Sequence, residues 1–203
     1  ILLEVEDVLT LKTSLAALKT IEETLPVVKA KILSVKPVGM GDRVCIDTCM
    51  NMVPGEGILV GHSSSALFLI HAESISNPYV APRPFRVNAG PVHAYTRVPG
   101  DKTRYLSELR SGDPILIVDH SGRTTLGVIG RLKIEKRPLM LVTADIGGQT
   151  ATTIVQHADT IRLTQPDGQA ICVVTLSKGA EVMGLSDAAG RQFGQDLEET
   201  VAV

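Results

Sequence analysis

The sequence has almost no aromatic side chains. Phe, Trp and Tyr together make up 3% of its 203 residues, and Trp is absent. That scarcity excludes a base-stacking platform for single-stranded nucleic acid. An excess of positive charge is missing too. Lys and Arg number 20 against 22 Asp and Glu, a net charge of −2, so no basic field faces a phosphate backbone. Apolar runs are short, and none approaches the roughly 20 residues of a membrane span. Nucleic acid and membrane are therefore not expected partners. Cys45, Cys49 and Cys172 are too few, and odd in number, for a disulfide framework. The expected compartment is reducing and cytoplasmic. The first residues carry Glu4, Glu6 and Asp7 without a basic leader and do not read as a signal peptide.

What is present is an ordinary globular composition, 44% hydrophobic and 21% charged. Ile1 to Glu6 reads as a short strand, and Asp7 as an N-cap. Val8, Leu11, Leu15, Leu18 and Leu25 then recur at helical spacing, and Pro26 stops the helix. From Val27 onward the pattern changes to short β-type runs. Turn signals such as Pro54–Gly57, Pro99–Asp101 and Pro166–Gly168 separate them. The prediction is a mainly β (α+β) chain. Residues 1–27 form the terminal strand–helix unit of a β/α domain that is otherwise absent. Residues 28–203 form a β-rich catalytic domain of barrel or sandwich type.

Several signatures fail. Gly39-Met40-Gly41 lacks the third glycine of a dinucleotide fingerprint, whose place Val44 holds. Gly61-His62-Ser63-Ser64-Ser65 lacks the closing glycine of a nucleophile elbow. Cys45 and Cys49 have no second Cys or His pair at zinc spacing.

Polar groups inside strand-like runs are the main clue. In Cys45-Ile46-Asp47-Thr48-Cys49, alternation puts two thiols around the Asp47 carboxylate, either as a metal or substrate site or as two small buried cysteines and a capped Asp. In Phe68 to Glu73, the residues Phe68, Ile70 and Ala72 make an apolar face and display His71 and Glu73 on the other. That pair suits acid–base chemistry, with Glu73 expected to raise the His71 pKa; the bland alternative is a solvated strand face. Between Tyr79 and Tyr95, prolines flank Arg83 and stiffen a stretch that also carries Arg86, Asn88 and His93. Arg83 and Arg86 are placed to clamp a carboxylate, unless the stretch is a solvated loop. Arg131, Lys133 and Glu135 read first as a solvated strand face, and Lys102 as an exposed turn residue.

Longer strings carry a resemblance. Pro37 to Cys49, Pro54 to Gly61, Asn77 to Gly90, Val92 to Tyr95, Lys102 to Leu109, Gly130 to Leu139 and Thr160 to Leu163 resemble, in order and spacing, the type II (archaeal-type) 3-dehydroquinate synthases. The match runs from about Leu33 to the C-terminus. His62, Pro91 and Gln192 depart from the pattern, as does Gln156-His157-Ala158-Asp159.

The resemblance implies an enzyme of aromatic amino-acid biosynthesis. NAD oxidatively deaminates a 2-amino-hept-6-ulosonate, and the product closes by an intramolecular aldol step to 3-dehydroquinate. On that reading Arg83, Arg86 and Asn88 bind the substrate. His71, Glu73 or His93 supplies the base. Lys102, Lys133 or a bound cation stabilises the developing oxyanion. A related branch, making an aminohydroxybenzoate, is the alternative and would favour a divalent metal near Asp47, Glu56, His71 and Glu73. A binding or assembly module without activity is the third reading. Protein partners on this organisation are a second copy of the chain or the rest of the β/α part.

Overall fold

A computed structural model describes residues 24–78 and 80–187, together with the backbone of 190–192 and 195–197. The predicted strand at Ile1–Glu6 and nearly all of the predicted helix lie outside the described residues. The last residues of that helix can be checked, and they are extended. Thr24 bridges Arg123, and the Leu25 N–H donates to the Gly122 carbonyl at 2.8 Å. Leu25 is buried in the core, so its apolar character serves the β domain rather than a helix face.

Fourteen strands follow in chain order: β1 (Val27–Thr48), β2 (Glu56–Ser63), β3 (Ala66–His71), β4 (Arg86–Pro91), β5 (Tyr95–Val98), β6 (Lys102–Tyr105), β7 (Pro114–Asp119), β8 (Thr124–Ile146), β9 (Gln149–Gln156), β10 (Arg162–Thr164), β11 (Ala170–Cys172), β12 (Glu181–Ser186), β13 (Gly190–Gln192) and β14 (Gln195–Leu197). All join one sheet, antiparallel except where β13 meets β6. The mainly β fold expected from the turn spacing is what forms. No helix among the described residues is long and apolar enough to cross a membrane.

The pairings close on themselves. β1 pairs β8, β8 pairs β7, β7 pairs β2, β2 pairs β3, β3 pairs β12, and β12 returns to β1. Each strand of this six-strand ring has two paired neighbours. The long strands make it possible. β1 and β8 run together as a ribbon interrupted by register shifts at Ile32/Ser34, Pro37/Gly39 and Asp47/Thr48. Bulges of this kind bend and twist a strand, so one strand can serve two parts of a closed sheet. At its two ends β1 buries Ala30 and Ile32, then Val44 and Ile46, while Lys36 to Met40 between them stays exposed.

β3 shows why alternation misleads here. Phe68 and Ile70 enter the larger hydrophobic cluster, as expected, but Leu67 and Leu69 enter a second cluster on the opposite face. Both faces are covered, so a polar residue on this strand is not displayed to solvent. His71, expected on an open face, is buried for this reason.

Close approach of β2 to β3 depends on glycine. A Cβ on Gly57 would lie 1.8 Å from the Ile70 carbonyl oxygen. Gly57→Ala is expected to cost at least about 1–3 kcal/mol, the usual range for overpacking. Gly127→Ala would meet only side-chain carbons of Ile115 and Ile117, at 3.1 Å or more, and should cost less. Urea unfolding of the two variants checks this; equal midpoints would contradict the tight β2–β3 seam.

Candidate functional site

Three cross-strand rungs build the site. β8, β1 and β4 lie side by side, and their registers align Arg131–Asp47–Arg86, Lys133–Cys45–Asn88 and Glu135–Arg43–Pro91. Alternate residues of a strand share a face, so Arg43, Cys45 and Asp47 project together while Val44 and Ile46 go to the core. A bulge between Val44 and Cys45 in the β1–β4 register keeps Asn88 opposite Cys45.

The neighbouring wall comes from the proline-stiffened stretch before β4. Its base is tied by backbone bonds: Glu73 N–H to the Arg86 carbonyl, Arg83 N–H to the Glu73 carbonyl, and Arg86 N–H to the Arg83 carbonyl, all 2.7–2.8 Å. These bonds bring Glu73, Arg83 and Arg86 together although thirteen positions separate the first from the last. The result is a cavity of about 230 Å³ with Arg43, Cys45 and Asn88 beneath, Glu73, Arg83 and Arg86 along one wall, Lys133, Glu135 and Arg137 from β8, Gln156 at the end of β9 and Thr160 beyond it. Five cationic side chains face two carboxylates there, so the cavity is electropositive and suited to an anion.

The deepest ion pair anchors this arrangement. Arg86 donates from Nε and Nη2 to the two oxygens of Asp47, at 2.6 and 2.9 Å. Arg131 adds contacts from Nε and Nη2 to Asp47 Oδ2, at 2.8 and 2.5 Å. Burial opposes the charge on Asp47, but the hydrogen bonds and positive charge of Arg86 and Arg131 outweigh it and hold the carboxyl below its usual range. The other pairs are looser. Arg43 and Arg137 both reach Glu135, at 2.8 and 3.1 Å, and Arg83 reaches Glu73 at 3.1 Å. Among the described residues, Lys133 forms no ion pair.

Two buried atoms beneath the cavity lack a hydrogen-bond partner, the donor Arg43 Nε and the acceptor Asn88 Oδ1. Asn88 is oriented by Gln156, whose Oε1 accepts from Asn88 Nδ2 at 2.9 Å. The Cys45 thiol, which Arg43 Nη1 contacts, is pushed up to about 11 chiefly by burial. It stays protonated at neutral pH and is no nucleophile.

Of the candidates read from the sequence, the cavity gathers Glu73, Arg83, Arg86, Asn88 and Lys133. Others lie elsewhere. His71 Nε2 accepts from the Gly55 N–H at 2.9 Å, and Nδ1 lies 2.6 Å from the Ala72 carbonyl, to which it donates. Both ring nitrogens are thus engaged with backbone. Burial, the largest influence, lowers the His71 pKa, so the expected elevation by Glu73 is corrected. His93 is exposed and lies against His62, ring centroids 4.9 Å apart. Lys102 is exposed at the start of β6.

The metal candidates Asp47 and Glu56 are engaged by groups of the protein itself. Asp47 is saturated by two guanidinium groups, and Glu56 Oε2 accepts from the Val53 N–H at 2.8 Å. Among the described residues no group of three or more His, Cys, Asp or Glu stands where it could hold a metal ion. The donor set therefore does not fit a divalent cation.

Cavity residues that the sequence did not single out are Arg43, Arg137, Gln156 and Thr160, while Lys133 and Glu135 were read first as a solvated face. The available signal was alternation: Arg43 precedes Cys45 and Asp47 on their face, and Arg137 continues the Lys133, Glu135 series. Cys49, expected to join Cys45, is exposed beyond the bulge at Asp47/Thr48.

Comparison with known proteins gives a consistent picture. The sequence model of the family described as "3-dehydroquinate synthase II C-terminal domain" matches residues 29–203. A 3-dehydroquinate synthase of Methanopyrus kandleri is 54% identical over 193 residues, covering 94% of this chain and 48% of that protein. A 3-dehydroquinate synthase of Methanococcus aeolicus is 58% identical over 173 residues, 85% of this chain and 48% of that protein. A 3-dehydroquinate synthase homolog of Aquifex aeolicus is 50% identical over 180 residues, 89% and 54% respectively. The chain thus spans about half the length of these relatives. No solved structure matches.

Two outcomes follow for the site. Asp47→Asn leaves Arg86 without its counter-charge and should destabilise the fold by about 3–5 kcal/mol, as for other broken buried pairs; an unchanged denaturation midpoint would contradict the anchor. Stability should also fall in mild acid. Burial, and then the charge of His93, lowers His62 from 6.5 to about 4, and burial lowers His71. The unfolded chain then binds more protons below about 6.5. This stability is fully present above about 6.5 and is lost as pH falls toward 4. His62→Gln should flatten part of that slope in urea titrations at pH 7 and pH 5; an unaltered slope would contradict it.

Proposed function

The chain belongs to the 3-dehydroquinate synthase II C-terminal domain family, and from that premise we propose that its cavity binds the open-chain acid substrate and closes it to 3-dehydroquinate. The overall reaction on this reading is NAD-dependent oxidative deamination of a 2-amino-hept-6-ulosonate followed by intramolecular aldol cyclisation. The observation that carries the reading is the gathering of the Arg83 and Arg86 guanidinium groups, the Lys133 ammonium, without an ion pair among the described residues, and the buried Glu73 carboxylate around one small polar cavity.

Each group has a task. Arg86 is fixed by Asp47 through Nε and Nη2, which leaves Nη1 for the substrate carboxylate. Arg83 provides the second contact. Glu73 takes the proton from the carbon beside one ketone, and Lys133 faces the oxygen of the second ketone, which gains charge as that carbon attacks it and the alkoxide forms. Asn88, held by Gln156, accepts from a substrate hydroxyl. A volume of about 230 Å³ suits a small hydroxy acid and lies below the range of pockets that enclose larger ligands. NAD, when bound, would accept the hydride of the deamination from a site outside this cavity. A metal-dependent aminohydroxybenzoate synthesis finds no donor set among the residues described.

Incubating full-length protein with the amino keto acid and NAD tests this reading, with NADH and 3-dehydroquinate as readouts. Arg83→Ala should cost about 1.5–3 kcal/mol in kcat/KM, the loss of one charge-assisted contact, and Arg86→Ala at least as much, because it also releases Asp47. Glu73→Gln should lower cyclisation by about 10²–10⁴-fold while NADH still forms. Unchanged kinetics in both arginine variants would remove the carboxylate assignment. Unchanged cyclisation in Glu73→Gln would remove the base.

A further inference from the structure

Arg83 and Arg86 enter the cavity from one short stretch but are held differently. Arg86 makes a two-pronged contact with Asp47; its side chain is 11% exposed and that of Asp47, which is buried, 6%. Arg83 makes a single contact, Nη1 to Glu73 Oε2 at 3.1 Å, and its side chain is 40% exposed while that of Glu73 is 8% exposed. The backbones of Glu73, Arg83 and Arg86 are tied to one another. Rearrangement at this wall is therefore left to side chains, of which Arg83 is the more exposed.

We propose that Glu73 occupies, in the empty protein, the place on Arg83 that a ligand carboxylate takes over. The ligand displaces Glu73, Arg83 moves onto the ligand, and Glu73 turns free toward it. This rests on the reading of the cavity as a carboxylate site and adds the exchange. The Arg83–Glu73 pair, joined by one contact at 3.1 Å with Arg83 part-exposed, is held less firmly than the two-pronged Arg86–Asp47 pair. A ligand carboxylate offers the guanidinium two parallel hydrogen bonds in its place. Lys133, with no ion-pair partner among the described residues, is the cation available to the charge released on Glu73. Glu73 would then oppose binding and favour turnover, because the base is uncovered only once the acid group is seated. A neutral ligand would leave Glu73 on Arg83.

Calorimetric titration of full-length protein with 3-dehydroquinate and with its methyl ester tests the exchange. The variants are Glu73→Gln, Glu73→Ala, Arg83→Ala and the Glu73→Gln/Arg83→Ala double variant, with circular dichroism to verify folding. Glu73→Gln should bind the acid about two- to fivefold tighter, the fold-change matching a part-exposed ion pair. Glu73→Ala should move affinity the same way if the first variant folds poorly. The ester should bind wild type and Glu73→Gln alike, and in the Arg83→Ala background Glu73→Gln should make no difference. Equal or weaker binding of the acid by both Glu73 variants overturns the exchange. If Arg83→Ala binds the acid as tightly as wild type, the carboxylate site itself falls. If Arg83→Ala loses affinity while the Glu73 variants gain none, only the exchange falls.

Discussion

A carboxylate gripped by two guanidinium groups sets the rest of this site in place. Asp47 sits on β1 between Arg86 of β4 and Arg131 of β8, so one side chain ties three strands on their polar face. Removing charges from water is costly and is recovered only with good geometry and filled hydrogen bonds. The two-pronged Arg86 contact supplies both. Because Asp47 is fully engaged, Arg86 stays ordered at the cavity edge before any ligand arrives. The neighbouring rungs inherit that order, with Cys45 and Arg43 following on β1 and Lys133 and Glu135 on β8.

Closure of the sheet explains why so polar a patch can lie next to a hydrophobic core. The six-strand ring covers β3 and β2 on both faces, and the two hydrophobic clusters take alternate residues of the same strands. Beyond the ring, β4 and β9 extend the long ribbon, and the Asn88–Gln156 bond links them at the cavity. The polar rungs are confined to that extension, where one face of the ribbon is free of the core. A separate, more apolar groove, lined by Leu106, Leu109, Leu132 and Ile134 among others, lies beside the ribbon, with Arg131 at its border.

Much of the β architecture was legible in the chain. Turn signals and short β-type runs gave the fold class, and the prolines around Arg83 marked the stretch that forms one cavity wall. His71 departs from its expected open position for a physical reason. Strand alternation separates two faces but does not say that one of them is open, and on β3 neither is. His71 consequently became a buried ring bonded to backbone, while Glu73, two residues later and past the strand end, escaped into the cavity. Local alternation places Arg43 and Arg137 on the polar face, but that this face meets Glu135, 92 positions from Arg43, and Gln156, 68 positions from Asn88, depends on cross-strand register that no local pattern encodes. The Asp47 site was read as a metal candidate because a carboxylate beside thiols looks the same in sequence whether a cation or two arginines balance it.

A crystal structure of the full-length protein with 3-dehydroquinate bound tests the central claim most directly. The account predicts the ligand carboxylate on Arg83 and Arg86, with its ring between Glu73 and Lys133 and Asp47 still holding Arg86. Ligand seated instead in the apolar groove by Leu132 and Ile134, with the arginine-lined cavity empty, would contradict it.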